Sequence, residues 1–433
     1  MAGEATVTPG DRIELAIEKN VYRGLGLGHH EGRVVFVPRA LAGDRVLVRV
    51  EAVERGFVRG SVERVMAPSP SRRSAPCPVA EQCGGCAYQH ASYGAQPALK
   101  AAILRETFSR AGVRYAREVP VTTGPEEGWR VRATLHFSVV DNALRLGFRR
   151  EGSHEVVETS SCLQISTRLR KVAERFGDEL RQQPMLWRHL SALELAESSD
   201  GKVVVAVLVG DLSRSEMVSL GGLARLDAGL GGLGFRGTRR SSELALSKGS
   251  PFVTHEVLGR TYRVHASSFF QGNRFLVGDL TAAVRDAVPE GADVVELFAG
   301  VGLFTAALLP RVSRVRAVEI ATTAVEDFRF NLAESSLASV READALVGLG
   351  QLRPGRREHI LLDPPRAGAG HTLVEAIAAR KPEGIVYLSC DPTTLARDLA
   401  GFRRAGYDLG EVWLFDLFPD TFHLETLVRL RPA

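Results

Sequence analysis

VVELFAGVGLF, residues 294–304, is an apolar run that carries an acidic residue, Glu296, at its end and meets Gly300 and Gly302 before a helical pattern begins. Glycines at that place let the backbone turn sharply and approach a ligand. The three-glycine fingerprint of dinucleotide sites is absent, and a lone GxG also suits a tight turn with no ligand. The next apolar run, RVRAVEI, carries Glu319 at its end, an acidic residue about 20 positions on that can hydrogen-bond a ribose hydroxyl pair. HILLDPPR and GIVYLSCDP continue the alternation of apolar strands with helical segments, which is the pattern of a doubly wound parallel sheet. Ligands bind such sheets at the carboxyl ends of the strands, which singles out Asp344 in READA and Asp363 in HILLDPPR. A solvated turn carboxylate is the plainer reading of both, and more so of Asp344.

Upstream of that sheet the pattern changes twice. From Gly10 to about Met66, short runs of alternating Val, Leu, Ile and Phe are separated by glycine-rich turns, as in a five-strand barrel of the OB type. APSPSRRSAPCPV continues neither strand nor helix and reads as a linker. A helical pattern (QPALKAAILRETFSRAGV) and then strands (WRVRATLHFSVV, ALRLGFRR, KVVVAVLVGDL) follow, an α+β region ending near Val264. The expected architecture is therefore multi-domain α/β: a barrel over residues 1–66, a central α+β unit over 67–265 and a Rossmann-like sheet over 266–433.

With 45% hydrophobic and 24% charged residues the composition is that of a soluble globular protein. No apolar run reaches the length of a bilayer span and the N-terminus, MAGEATVTPGDRIEL, shows no leader pattern, so a cytoplasmic protein without a membrane partner is expected. The net charge of +4 permits a polyanionic partner, but 55 basic against 51 acidic residues is too slight an excess to demand one.

Cys390 ends the strand in YLSCDPTTLARD, just before a helix start whose N-terminus is expected to favour the thiolate. A buried structural cysteine is the alternative. Beside a cofactor pocket the strand-end position favours a nucleophile. A methyl-transfer site needs one when the acceptor is C5 of uracil: thiolate addition at C6 raises electron density at C5, and a base must later take the C5 proton. Glu425, inside the apolar strand FHLETLVRL, is placed to be that base, because desolvation raises a carboxyl into the working range. An ion pair with a nearby arginine is the other use open to it.

ELFAGVGLF followed by VE is similar to the pattern of class I S-adenosylmethionine-dependent methyltransferases. VVFVPRALAGDRVLVRV looks like a TRAM domain, an OB-type RNA-binding module. With SFFQGN, DPPR, SCDPTTLARD and HLETLVRL in that order, almost the whole chain resembles the uracil-C5 RNA methyltransferases, and among them the large-subunit ribosomal RNA branch that carries an iron–sulfur cluster. The resemblance implies Cys390 as nucleophile and Glu425 as base, with Gln271, Phe298, Glu319, Asp344 and Asp363 lining the S-adenosylmethionine site. Three departures stand out: Leu303 where relatives often have Asn, Ala299 for a frequent Cys, and Ala133–Thr134 for an Asn-Lys pair that bears on the RNA contact.

CPVAEQCGGC packs three of the five cysteines into ten residues, and in a long chain such clusters are more often metal ligands or catalytic groups than disulfides. Apart from Cys390 the thiols are Cys77, Cys83, Cys86 and Cys162, a set that suits zinc or an iron–sulfur cluster. The resemblance favours [4Fe-4S], with Cys162 as the fourth ligand and a structural rather than redox role. The implied activity is formation of 5-methyluridine in structured RNA, ribosomal rather than transfer RNA, with no obligate protein partner. Arg72, Arg73, Arg168, Arg170 and Lys171 are candidate phosphate contacts. A transfer RNA target, a cytosine target, and an RNA-binding assembly factor that has lost catalysis are the competing readings.

Overall fold

Alternation shapes the first unit. The computed structural model describes residues 7–433 except 160, 211–215, 217, 219, 221, 226–229 and 238–243. Strands β1 (Arg12–Ala16), β2 (Lys19–Val21), β3 (Leu25–His30), β4 (Arg33–Pro38), β5 (Arg45–Glu54) and β6 (Phe57–Ala67) form one six-stranded sheet in the order β1-β5-β6-β4-β3-β2. Every second residue turns inward, so Ile13, Leu15, Val35, Val37, Val46, Val48, Val50 and Val58 make its core. The glycine-rich stretch is itself strand β3: a Cβ on Gly28 would lie 2.3 Å from the Ala16 carbonyl oxygen, so only glycine lets the strands close there.

The central sheet contains β8 (Arg132–Val140), β9 (Ala143–Arg149), β10 (Val156–Glu158), β11 (Leu190–Glu197), β12 (Val203–Val209), β13 (Leu230–Gly237) and β14 (Ala245–Gly249), ordered β10-β9-β8-β11-β12-β13-β14. Helix Thr167–Arg181 lays Leu169, Val172, Phe176 and Leu180 on it, and its N-cap Ser166 accepts from Leu169 N–H. A separate hairpin, β15 (Phe252–Val257) with β16 (Arg260–His265), packs Val253, Tyr262 and Val264 into the core of the last unit.

That last unit is built on β17 (Asp293–Leu297), β18 (Arg314–Glu319), β19 (Ala338–Glu342), β20 (Glu358–Leu362), β21 (Gly384–Ser389), β22 (Tyr407–Phe415) and β23 (Glu425–Pro432). The order is β19-β18-β17-β20-β21-β23-β22, the first five parallel and β23 antiparallel to both neighbours. Strands β17, β20 and β21 are buried along their whole length, which is why they are rich in apolar residues, although β17 also buries Asp293 and Glu296 and β20 buries Glu358 and His359. An eighth strand, β7 (Val121–Thr122), comes from far upstream and pairs in parallel with Leu414 and Phe415 of β22. Helix Gln96–Arg110 accompanies it, placing Ile103, Leu104 and Phe108 in one core with Ile360, Tyr387, Leu395 and Phe402. Each such side chain contributes about 1.5–3 kcal/mol of burial. The chain thus enters the catalytic layer, leaves it to build the central sheet, and returns. Among the described residues no helix is long and apolar enough to cross a membrane.

Candidate active site

The sheet register gathers the acidic residues into one row. Leu297 pairs with Val318 on one side and Leu362 on the other, so Phe298, Glu319 and Asp363 stand side by side at the carboxyl edge. Phe298 holds a left-handed backbone (φ 62°), which turns the chain out of the strand, and Gly302 (φ 87°) starts the following helix. A Cβ at Gly302 would come within 2.9 Å of Phe328 and Leu332, so loop and helix pack backbone to side chain. Glu319 ties this loop down: one carboxylate oxygen accepts from Gly300 N–H, the other from Ile320 and Ala321 N–H, each at 2.8 Å. Glu296 lies buried beneath, bonded to the Thr305 hydroxyl and pushed up to about 8 chiefly by burial.

Gln271 donates to Asp363 at 3.3 Å, which brings the SFFQGN segment to the same place. Asp344 is different: exposed, it caps helix Ala345–Gln351 by accepting from Leu346 and Val347 N–H. Leu303 and Ala299 are both buried and offer the row no polar group.

At the other end of the row, the antiparallel pairing of β21 with β23 runs from Ile385 opposite Leu430 to Ser389 opposite Thr426. The next pair in that register is Cys390 opposite Glu425. Three acidic groups therefore share a dry corner. Asp363 is pushed up to about 7 by burial, and Glu425, 3% exposed, is held well above the usual carboxyl range by burial and by Asp363. Cys390 is pushed up to about 12 by burial, then by Glu425 and Asp363, with Arg366 the one neighbouring group drawing it down.

This corrects the expectation that the helix after Cys390 favours its thiolate. Asp391 is the N-cap of helix Pro392–Arg404, accepting from Thr393 and Thr394 N–H at 2.8 and 3.1 Å, so those amides are occupied by a carboxylate before they can serve the thiol.

Several residues around this corner were not singled out from sequence. Arg366 donates to His423 Nε2 at 3.0 Å, and burial and cations keep that imidazole neutral, down to about 3. Tyr22, from the N-terminal barrel, donates to Asp391 at 3.0 Å and meets Phe422 edge to face, so the barrel touches the segments beside both Cys390 and Glu425. Lys100 forms an ion pair with Asp416 at 2.6 Å, both side chains fully buried, and donates to Phe418 carbonyl at 2.9 Å. Arg366 and His423 lie within the DPPR and HLETLVRL motifs, while Tyr22 and Lys100 carry no pattern that marks a site.

Two arginines expected at RNA are used internally. Arg72 is paired with the buried Asp44 at 2.6 Å and bonds the Arg39 carbonyl, and Arg73 reaches Asp420 and Glu126. Arg168 donates to the Gly201 carbonyl at 3.2 Å. Ala133 is buried in the central core, while Thr134 is exposed beside a cleft of about 300 Å³ that also exposes Phe269.

Cys77, Cys83, Cys86 and Cys162 are unpaired neighbours. The Cys83 thiol is raised by burial and by Cys162 and Cys77, and that of Cys86 by burial, Asp420, Cys162 and Cys83. The guanidinium of Arg130 feels three of them and stacks near Trp129 and Phe148. A donor set of four thiols has the chemistry of a sulfur-ligated site. Among the described residues, however, no three of the candidate groups converge closely enough to hold an ion.

The strand order with its reversed β23, and the acidic row over the glycine loop, define a class I S-adenosylmethionine-dependent methyltransferase. The family model for tRNA (uracil-5-)-methyltransferase matches residues 92–432 and that for the TRAM domain residues 6–62. The chain belongs to this uracil-5 methyltransferase family, and is an RNA uracil-C5 methyltransferase that uses S-adenosylmethionine. It is 33% identical over 93% of its length, and 89% of the relative's, to an uncharacterized RNA methyltransferase of Streptomyces coelicolor. To the 23S rRNA (uracil(1939)-C(5))-methyltransferase of Shewanella amazonensis it is 32% identical over 96% of this chain and 94% of that one. The fold is also that of the tRNA (uracil-54, C5)-methyltransferase of Pyrococcus abyssi, solved with S-adenosyl-L-homocysteine: TM-score 0.76 at 24% identity, covering 96% of this chain and 99% of the other.

Proposed function

We propose that the enzyme makes 5-methyluridine in large-subunit ribosomal RNA, with Cys390 as nucleophile and Glu425 as base. The observation that carries the assignment is the register that sets these two side chains opposite each other across β21 and β23. Cys390 gives up its proton to solvent as its sulfur forms a bond to C6, and the C5–C6 electron pair passes to C5 as an enolate. S-adenosylmethionine supplies an electrophilic methyl group on a sulfonium. C5 takes that methyl as the donor leaves as a neutral thioether. Glu425 then removes the C5 proton, the double bond re-forms and the Cys390–C6 bond breaks. Asp363, a carboxyl raised by burial, suits a place where a cationic donor restores its charge, and Glu319 holds the loop at which a ribose is bound. Gln271, Phe298 and Asp344 complete the assignment of that site, Asp344 from its helix cap.

The barrel, within residues 1–66, grips RNA around the flipped uridine; of residues 67–265, helix Gln96–Arg110, β7 and the hairpin β15–β16 pack with the catalytic unit, 266–433, and the sheet β8–β14 with its helix forms the central unit. The relative's action on 23S rRNA supports the ribosomal target. On donor chemistry we assign a [4Fe-4S] cluster to the Cys77, Cys83, Cys86 and Cys162 set: the four thiols would have to draw together to hold it, it would pin the central unit, and no step of the reaction passes through it. Five unpaired cysteines support a reducing, cytoplasmic setting.

Mass-spectrometric mapping of 5-methyluridine in ribosomal and transfer RNA, with and without the gene, tests the target; loss confined to transfer RNA overturns it. Cys390→Ala is expected to bind RNA without transferring methyl. Iron, sulfide and zinc analysis of anaerobically purified protein tests the cluster: stoichiometric zinc in a colourless protein rules it out.

A further inference from the structure

Glu425 is reached through a loop, residues 416–424, whose hydrogen bonds go largely to other parts of the molecule. Its centre is Asp420, 1% exposed and in the left-handed backbone region (φ 62°). One carboxylate oxygen accepts from Gln96 Nε2 at 2.8 Å and Arg73 Nη2 at 3.3 Å. The other accepts from Gln89 Nε2 at 2.7 Å and Gln164 Nε2 at 2.9 Å. The Asp420 N–H donates back to Gln96 Oε1 at 2.9 Å, and its carbonyl receives both Ala87 and Tyr88 N–H at 2.8 Å.

These donors come from four separate stretches: the linker, the segment just after Cys86, the start of helix Gln96–Arg110, and the segment just after Cys162. Gln89 Nε2 also lies 3.9 Å from Cys86 Sγ, and Gln164 accepts from the buried Trp129, whose ring packs edge to face on Phe418 in the same loop. A carboxylate suits this place because it accepts at about four lone-pair sites and donates at none. An asparagine there offers one accepting oxygen and turns an NH₂ toward two glutamine NH₂ groups. Burying a carboxylate among neutral amides is unfavourable unless every site is filled, and here four donors fill them.

We propose that Asp420 is the positioning residue for Glu425: by gathering four distant segments onto one turn it fixes the loop that presents the base opposite Cys390. It acts through Glu425 and touches no reacting atom. The inference rests on the reading of Glu425 as the base.

Methyl transfer precedes proton removal, so misplacing the base leaves the RNA covalently attached at Cys390, whereas general loosening of the site lowers attachment and product together. The test follows methyl label from S-adenosylmethionine into unmodified 23S ribosomal RNA made in vitro, and separates free methylated RNA from denaturant-resistant protein–RNA adduct. The full-length protein, Asp420→Asn and Glu425→Gln are compared. Glu425→Gln is expected to hold the label in the adduct; if it does not, the base is misassigned. With that control in place, Asp420→Asn is expected to raise the adduct-to-product ratio at least about tenfold, the equivalent of about 1.4 kcal/mol at the proton-removal step. An unchanged ratio overturns the proposal, whether or not total turnover falls. If Asp420→Asn does not fold, Gln89→Leu, which removes one donor, is expected to shift the ratio the same way, and an unshifted ratio there also overturns it.

Discussion

Disulfide exchange at Cys390 reads the electrostatics of the catalytic corner. Burial and two carboxyl neighbours push this thiol up to about 12, against 9.0 for an ordinary one. At about pH 8 an ordinary thiol is about one-tenth thiolate and Cys390 about one part in 10⁴, a deficit of about a thousandfold. A more basic thiolate is also more nucleophilic, by about twentyfold over that interval, so the net expectation is exchange about fiftyfold slower than in a peptide carrying the same sequence. The assay incubates the protein with a small aromatic disulfide at a series of pH values and quantifies modification of the Cys390 peptide by mass spectrometry, which separates it from the other four cysteines. Steric shielding lowers the rate equally at all pH values, so the slope is the diagnostic: the rate should climb tenfold per pH unit through about pH 10. A rate that levels off near about pH 8–9 refutes the reasoning, because it means the occupied helix N-terminus and the neighbouring carboxyls leave the thiol unperturbed.

Lys100→Met leaves the fully buried Asp416, one of whose oxygens already has no partner, with an uncompensated charge, and is expected to cost about 3–5 kcal/mol in urea unfolding followed by fluorescence. Adding Asp416→Leu should recover most of that loss, and a double variant as unstable as the single one counts against the ion pair as cause. Tyr22→Phe keeps the ring against Phe422 and deletes the bond to Asp391, so barrel docking weakens by about 1.5 kcal/mol and protease cuts the linker at residues 67–79 about tenfold faster. Equal cutting rates would show that the hydroxyl does not hold the barrel. Asp363 binds its proton more tightly folded, about 7, than unfolded, 3.8, so its contribution to stability is complete below about pH 4 and is lost as the pH rises through 7. Asp363→Asn should flatten the stability profile across that window, as measured by melting temperature.

What was legible in the sequence follows the reach of each signal. Strands β17, β20 and β21 are covered on both faces and rich in apolar residues, and the residues that follow them lie at the ligand edge by rule; Asp363 and Cys390 were found that way, whereas Phe298 came only from the resemblance. Glu425 was legible as an acid in an apolar strand, though its place opposite Cys390 needed the register. The thiolate expectation failed over a side chain one residue away, since nothing local says that Asp391 turns back to cap its helix. Tyr22 and Asp391 are 369 positions apart, and Asp420 draws partners from up to 347 positions away. Contacts of that span leave no period in the chain, and a two-residue strand such as β7 is too short to show one. The five-strand barrel became six because the glycines of β3 are spacing for close strands rather than turns.

The early entry of residues 92–122 into the last sheet also bears on how the protein is made. Lys100 finds its partner 316 positions downstream in Asp416, and the strand at Val121–Thr122 pairs with Leu414 and Phe415. The last sheet therefore cannot close before residues 414–416 have been made, and whatever folds earlier does so beside an unfinished neighbour. A fragment beginning at residue 266 would keep Cys390 and Glu425 and still carry an open sheet edge at β22 and a buried, unpaired Asp416. Such a fragment is a substrate for aggregation and proteolysis, so the upstream segment keeps this methyltransferase from being pared down to its last sheet.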